Sequence, residues 1–147
     1  MPKLNDGMAS QRIYLELLKD EMKFDINFVV SEFVDTRKAR NFVAANPSDL
    51  FACYKAAPWL IEVKSTIDRA RFPMKNIKGT QFGIGRRYRL SGWNYMFVIH
   101  HVSWDTWYFV PFDFMYEKST SGIKSLKWED LKVFAKNKDH KFWSIHE

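Results

Sequence analysis

Asp49-Leu50-Phe51-Ala52-Cys53-Tyr54, followed by Trp59-Leu60-Ile61-Glu62-Val63-Lys64, is the stretch whose reading decides the fold. Two short runs rich in aliphatic and aromatic residues, joined near Lys55-Ala56-Ala57-Pro58, read as a β-hairpin. The near-continuous apolar content of Leu60, Ile61 and Val63 predicts a second strand buried on both faces. Successive side chains of a strand alternate, so Glu62 and Lys64 share one face and Val63 points to the other. Asp49 precedes Glu62 by thirteen positions. Pairing the strands therefore gathers two carboxylates and one ammonium at one end of a small sheet. An unpaired charge inside an apolar strand is costly, so these groups require partners.

Outward from the hairpin, the chain alternates between helical and strand periodicity. About Ala9 to Lys23 carries Ile13, Tyr14, Leu17, Leu18 and Met22 at helical spacing, which predicts a first helix with one apolar stripe. Phe24 to Val34, with Ile26, Phe28 and Val30 alternating, predicts the first strand, and Asp35 to Ser48 a basic loop. Beyond the hairpin, Ser65 to Met74 reads as a polar loop, and Asn76 as the cap of a helix over about Ile77 to Leu90. Gly79, Gly83 and Gly85 each weaken that helix by about 1 kcal/mol relative to Ala and suggest a close approach to a neighbour. Asn94 to Val102 and Thr106 to Val110 form a second hairpin, and Trp128 to Ala135 a short closing helix with Leu131 and Phe134 inward. The order α-β-β-β-α-β-β-α gives an α/β fold, a central mixed β-sheet flanked by α-helices, taken as one domain over residues 1–147.

Composition narrows the function classes. With 23 Lys+Arg against 17 Asp+Glu the chain carries +6, which suits a polyanionic partner without requiring one. The lone Cys53 excludes an internal disulfide, and no apolar run is long enough to span a bilayer, so a soluble intracellular protein without membrane contact is expected.

Hard oxygen ligands suit Mg²⁺, with Mn²⁺ as a substitute. Asp49 and Glu62, with the carbonyl of Val63, form a candidate metal site. Lys64 would orient a water polarised there or stabilise negative charge on a phosphate. Arg69, Arg71, Lys75 and Lys78 flank the hairpin as candidate phosphate contacts; Arg37, Lys38 and Arg40 form a second basic group. Arg86, Arg87 and Arg89 fit a phosphate surface and a solvated helix face equally well. Gly79 to Gly85 lacks the Gly-Lys-Ser/Thr ending of a phosphate loop. His100 and His101 point to opposite faces and cannot chelate one ion together. Trp93, Trp104 and Trp107 fit core or interface packing better than base stacking.

Asn46-Pro47-Ser48-Asp49-Leu50, Ile61-Glu62-Val63-Lys64-Ser65-Thr66 and the block Phe72-Pro73-Met74-Lys75-Asn76-Ile77-Lys78-Gly79-Thr80-Gln81 together carry a family likeness. The chain resembles the RecU-type Holliday junction resolvases of the PD-(D/E)xK nuclease superfamily, and is similar to the archaeal Holliday junction resolvases in its order of elements. The resemblance implies a restriction-endonuclease-like fold and a homodimeric, Mg²⁺-dependent endonuclease that nicks branched double-stranded DNA at four-way junctions. It implies metal binding by Asp49 and Glu62, activation of the attacking water by Lys64, and positioning of the scissile phosphate by Gln81. It places the protein in the cytoplasm, at the nucleoid or in the cytoplasm of a viral host. These families carry a Glu in the first helix; matching Gly7-Met8 to their N-terminal Gly puts Gln11 there, an amide able to hydrogen-bond but not to act as a charged ligand. Glu16 falls opposite the apolar stripe, and Asp35 to Asn46 is too short for the stalk that RecU proteins insert. Other endonucleases of the superfamily, and an inactive DNA-binding module of the same fold, share these features.

Overall fold

The structure is a computed structural model describing residues 7–33 and 46–144. Arg37, Lys38 and Arg40 lie outside the described residues. The expected first helix is α1 (Gly7–Phe24), followed by β1 (Phe28–Glu32) and the hairpin β2 (Leu50–Tyr54) and β3 (Ala57–Thr66). Then come β4 (Arg71–Pro73), α2 (Gly79–Leu90), β5 (Asn94–His101), β6 (Thr106–Pro111), α3 (Phe112–Thr120), β7 (Ser125–Lys127), α4 (Trp128–Leu131) and β8 (Ala135–Lys136).

Six strands form one sheet in the order β1-β2-β3-β5-β6-β8, and β4 pairs with β7 in a separate two-stranded ladder. Only β3 and β5 run parallel, joined by a crossover that contains α2; every other pairing is antiparallel. This is the mixed α/β sheet expected from the sequence. Its two central strands are buried on both faces. Trp59, Ile61 and Val63 of β3 join Tyr14, Leu15 and Leu18 of α1 in one core, while Leu60 joins Phe82 of α2 and Phe112 and Met115 of α3 in the other. Strand alternation then directs Glu62 and Lys64 to the α2 side.

The β2–β3 turn is tight. Tyr54 pairs with Ala57, which leaves Lys55 and Ala56 as a two-residue loop, both in the left-handed region with φ of 49° and 68°. Such a turn matches strand twist but strains a residue with a Cβ. Ala56→Gly is expected to raise stability by about 0.5 to 1 kcal/mol, the relief of strain exceeding the entropy glycine adds to the unfolded chain. Chemical denaturation of the two proteins checks this.

Three expectations change. The polar stretch after β3 contains β4 and a 3₁₀ turn, Met74–Asn76, and the following helix starts from Lys78 rather than from a capping Asn76. The structure splits the predicted closing helix into α4, a 3₁₀ turn and β8, because Ala135 pairs with Tyr108 at the sheet edge. Of the three glycines in α2, only Gly85 makes a close approach: a Cβ there would fall 2.4 Å from the Phe112 ring.

Candidate active site

Asp49 immediately precedes β2 and faces Glu62 across the hairpin, because Leu50 pairs with Ile61. The two carboxylates are held by each other's strands. The Asp49 backbone N–H donates to Glu62 Oε1 at 2.9 Å, and the Val63 N–H donates to Asp49 Oδ2 at 2.9 Å. Lys64 Nζ lies 3.0 Å from Glu62 Oε2, with the side chains 21% and 8% exposed. That ion pair is the compensation which a charge in an apolar strand requires. Glu62 and Lys64 meet on one side of β3, and Val63 supplies its backbone N–H to the pair.

Burial, and then the neighbouring Glu62 charge, push the Asp49 carboxyl up to about 7. Two like charges this close resist simultaneous ionisation, so near neutrality the metal-free pair tends to hold a proton. Linkage gives the sign. The unfolded chain releases this proton near pH 4 and the folded chain near 7, so stability is greatest below the unfolded value and falls as pH rises through that window. The loss is on the order of 4 kcal/mol. Burial holds His100, His101 and His140 below their usual values, which acts in the opposite direction as pH falls. Urea unfolding of wild type and Asp49→Asn in EDTA from pH 5 to 8 separates the two effects, because the histidines are common to both. The wild type is expected to lose stability relative to the variant as pH rises.

A cleft of about 810 Å³ opens over the pair, lined by Gly7, Met8 and Gln11 of α1, by Asp49, and by Glu62 through Asp68. A second recess on the other side brings Lys78 and Gln81 against Asp49, Glu62 and Lys64. Asp49, Glu62, Val63, Lys64, Gln11, Gln81 and Lys78 therefore converge. Lys75 does not, since it lines a separate recess with Ser119 and Lys124. Arg69 and Arg71 are exposed beside the cleft, where the Arg71 and Ala70 N–H groups donate to Asp68 and hold its carboxyl below the usual range. Arg89 is taken up by structure, pairing with Asp113 at 2.9 Å and donating to the Trp93 carbonyl. Arg86 lies over the Tyr116 ring.

Among the described residues no cluster of three or more His, Cys, Asp or Glu is placed to hold an ion. A two-carboxylate set fits Mg²⁺, which usually keeps several waters and takes further oxygens from substrate phosphate. The repulsion that the Glu62 charge exerts on the buried Asp49 carboxyl is the electrostatic condition that a divalent cation relieves.

A solved structure similar to this chain is that of Hjc from Archaeoglobus fulgidus, described as a Holliday junction resolvase from an archaeal hyperthermophile. The match has a TM-score of 0.50 at 15% identity and covers 84% of this chain and 90% of that one. The chain has the fold of this resolvase. No protein-family model matches the chain, and no curated protein matches its sequence.

One residue that the sequence does not single out, Tyr95, adjoins the carboxylate pair. Tyr95 of β5 donates its hydroxyl to the Pro47 carbonyl at 2.6 Å, and Gln81 is a further partner, so one buried phenol links the segment before Asp49 to α2. Burial, aided by Glu62 and Asp49, raises the Tyr95 pKa, which keeps it a donor. In the sequence Tyr95 is one aromatic among many in an apolar strand. Ser10 Oγ lies 2.9 Å from His100 Nδ1, and His100 Nε2 lies 2.9 Å from Asp105, which ties the first turns of α1 to the sheet. The buried histidine thus has partners on both ring nitrogens.

Proposed function

We propose that this chain is a metal-dependent endonuclease that cuts branched DNA, with the four-way junction as its preferred substrate. The observation that carries the reading is the reciprocal clamp of Asp49 and Glu62, with Lys64 paired to it, at the base of an open cleft on a resolvase fold. Asp49, Glu62 and the Val63 carbonyl would hold Mg²⁺, or Mn²⁺ in its place, and the ion would supply Lewis-acid polarisation of the scissile phosphate and the attacking water. Lys64, already oriented by Glu62, would donate to that water or to a phosphate oxygen. Gln81 and Lys78 contribute amide and ammonium donors from the other side of the pair. Gln11 reaches the cleft from α1 as a hydrogen-bonding amide. Arg69 and Arg71 neutralise flanking phosphates.

Cutting two opposed strands calls for two sites, which a homodimer with a two-fold axis supplies. Such an enzyme works where DNA is, in the cytoplasm of a cell or of a virus's host. The test is a set of end-labelled substrates of common sequence (four-way junction, flap and linear duplex) incubated with Mg²⁺. Junction cleavage faster than duplex cleavage is expected; equal rates would make the chain a general endonuclease of this fold. Gln11 in place of an acid favours a second reading, a DNA-binding remnant without activity, and total absence of cleavage would select it.

A further inference from the structure

Beside the carboxylate cleft stands an aromatic stack that the chemistry above does not use. The chain leaves β5 at His101, turns through Val102-Ser103-Trp104-Asp105 and enters β6. The Trp104 indole lies flat on the His101 imidazole, with ring centres 3.6 Å apart and planes 8° from parallel, and Trp128 stands edge-on at 5.8 Å. The main chain of Trp104 is held on both sides. Its backbone N–H donates to His101 Nδ1 at 3.3 Å, and its backbone carbonyl accepts from Thr106 Oγ1 at 3.2 Å. His101 Nε2 and Trp128 Nε1 both reach the Asp68 carbonyl, at 3.0 and 2.7 Å. A neutral His101 with its proton on Nε2 satisfies both of its contacts. The stack is therefore built onto Asp68, a residue of the cleft wall.

Trp104 nevertheless remains 41% exposed, and no third ring lies against it among the described residues. Ile67, next to Asp68 in the cleft wall, is 40% exposed. Cations surround this apolar surface: Arg69 on the loop, and Arg71 and Lys127, which pair in register between β4 and β7 and are exposed. A rigid indole next to fixed positive charge matches a base attached to its phosphates, where stacking and charge neutralisation act together.

We propose that Trp104, seated on His101, is the platform on which an unpaired nucleobase of the cleft-bound DNA stacks; this rests on the nuclease reading of the cleft. The register sets its distance. His101 pairs with Thr66, four residues beyond Glu62, so the platform lies roughly 13 Å along the strand at about 3.3 Å per residue. At about 3.4 Å per nucleotide, that is some four nucleotides from a phosphate held at Glu62. Base pairs at a branch point lack the continuous stacking of duplex and open at lower cost, so a platform that takes up the opened base gives preference for branched DNA.

The test measures binding with Ca²⁺ in place of Mg²⁺, using four-way junctions carrying 2-aminopurine near the branch and a linear duplex as reference. Wild type is expected to quench the probe. Trp104→Leu, which keeps apolar bulk but has no aromatic face, is expected to lose quenching and about tenfold in junction affinity with little change on duplex, while Trp104→Phe keeps most of both. Junction affinity unchanged in Trp104→Leu, equal losses on junction and duplex, or dissociation of a dimer by that variant in sedimentation would overturn the proposal, the last by assigning the face to a second copy. Absence of cleavage in Mg²⁺ with the stacking signal intact would remove the nuclease reading alone; absence of binding to any DNA would remove both.

Discussion

Asp49→Asn is expected to lower Mg²⁺-dependent cleavage by about a thousandfold or more while making the protein more stable and leaving DNA binding intact or tighter. The three effects share one cause. Asp49 is a buried carboxyl beside a second carboxyl, and its proton is retained to about 7 in the absence of metal. Replacing it with a neutral amide keeps an oxygen to accept from the Val63 N–H and a donor to offer Glu62, so the hairpin geometry persists. The electrostatic penalty of ionising the pair disappears, and so does repulsion toward phosphate. What is lost is a charged oxygen for the proposed metal ion, and several kcal/mol of transition-state stabilisation corresponds to three or more decades in rate. Glu62→Gln should match it in activity but not in stability, because it deprives Lys64 of its ion-pair partner at 3.0 Å. Single-turnover cleavage, thermal melting and binding in Ca²⁺ read the three quantities. Wild-type activity in Asp49→Asn would show that the chemistry lies elsewhere.

Phe97→Ala is the second large effect, expected to cost about 3 to 5 kcal/mol. Phe97 is fully buried on β5, directly opposite Glu62 in the parallel register, and its ring meets those of Tyr95, Phe82 and Phe112 at centroid distances of 5.3, 6.1 and 5.8 Å. Removing it empties the centre of the core on the α2 side. Since typical domains hold only about 5 to 15 kcal/mol in total, the variant should be largely melted at modest temperature. Phe97→Leu fills more of the space and should fall between the two. Urea denaturation monitored by circular dichroism gives the ordering. Activity should fall with the folded fraction, unlike Asp49→Asn, where activity and stability move in opposite directions.

Sequence patterns located the central elements because local rules and tertiary burial agree there. The β2–β3 hairpin, the face shared by Glu62 and Lys64, and the paired strands β5 and β6 follow from alternation and apolar runs. Phase errors arise where a single residue breaks the rule. Ile13 and Ile26 fit the periodic patterns, yet they are 46% and 98% exposed, while Leu15 turns inward. The helix α3 was hidden because Phe112-Asp113-Phe114-Met115-Tyr116 continues the aromatic composition of β6; Pro111 just before it and Asp113 in its first turn are the local signals of a helix start. Strands β4 and β7 have only three residues each and pair across fifty-four positions, so no local window contains both partners. Tyr95 and Asp68 acquire roles only from what the fold sets beside them, a carbonyl and a nearby glutamine for one and two ring N–H donors for the other.

The metal requirement is the claim on which the rest stands, and calorimetric titration of the metal-free chain with Mn²⁺ tests it most directly. Saturable binding is expected, with proton release below pH 7 as Asp49 gives up its proton, and with binding lost in both Asp49→Asn and Glu62→Gln. Mn²⁺ binding that persists in the two variants, or no binding by the wild type, would contradict a metal centre at this carboxylate pair.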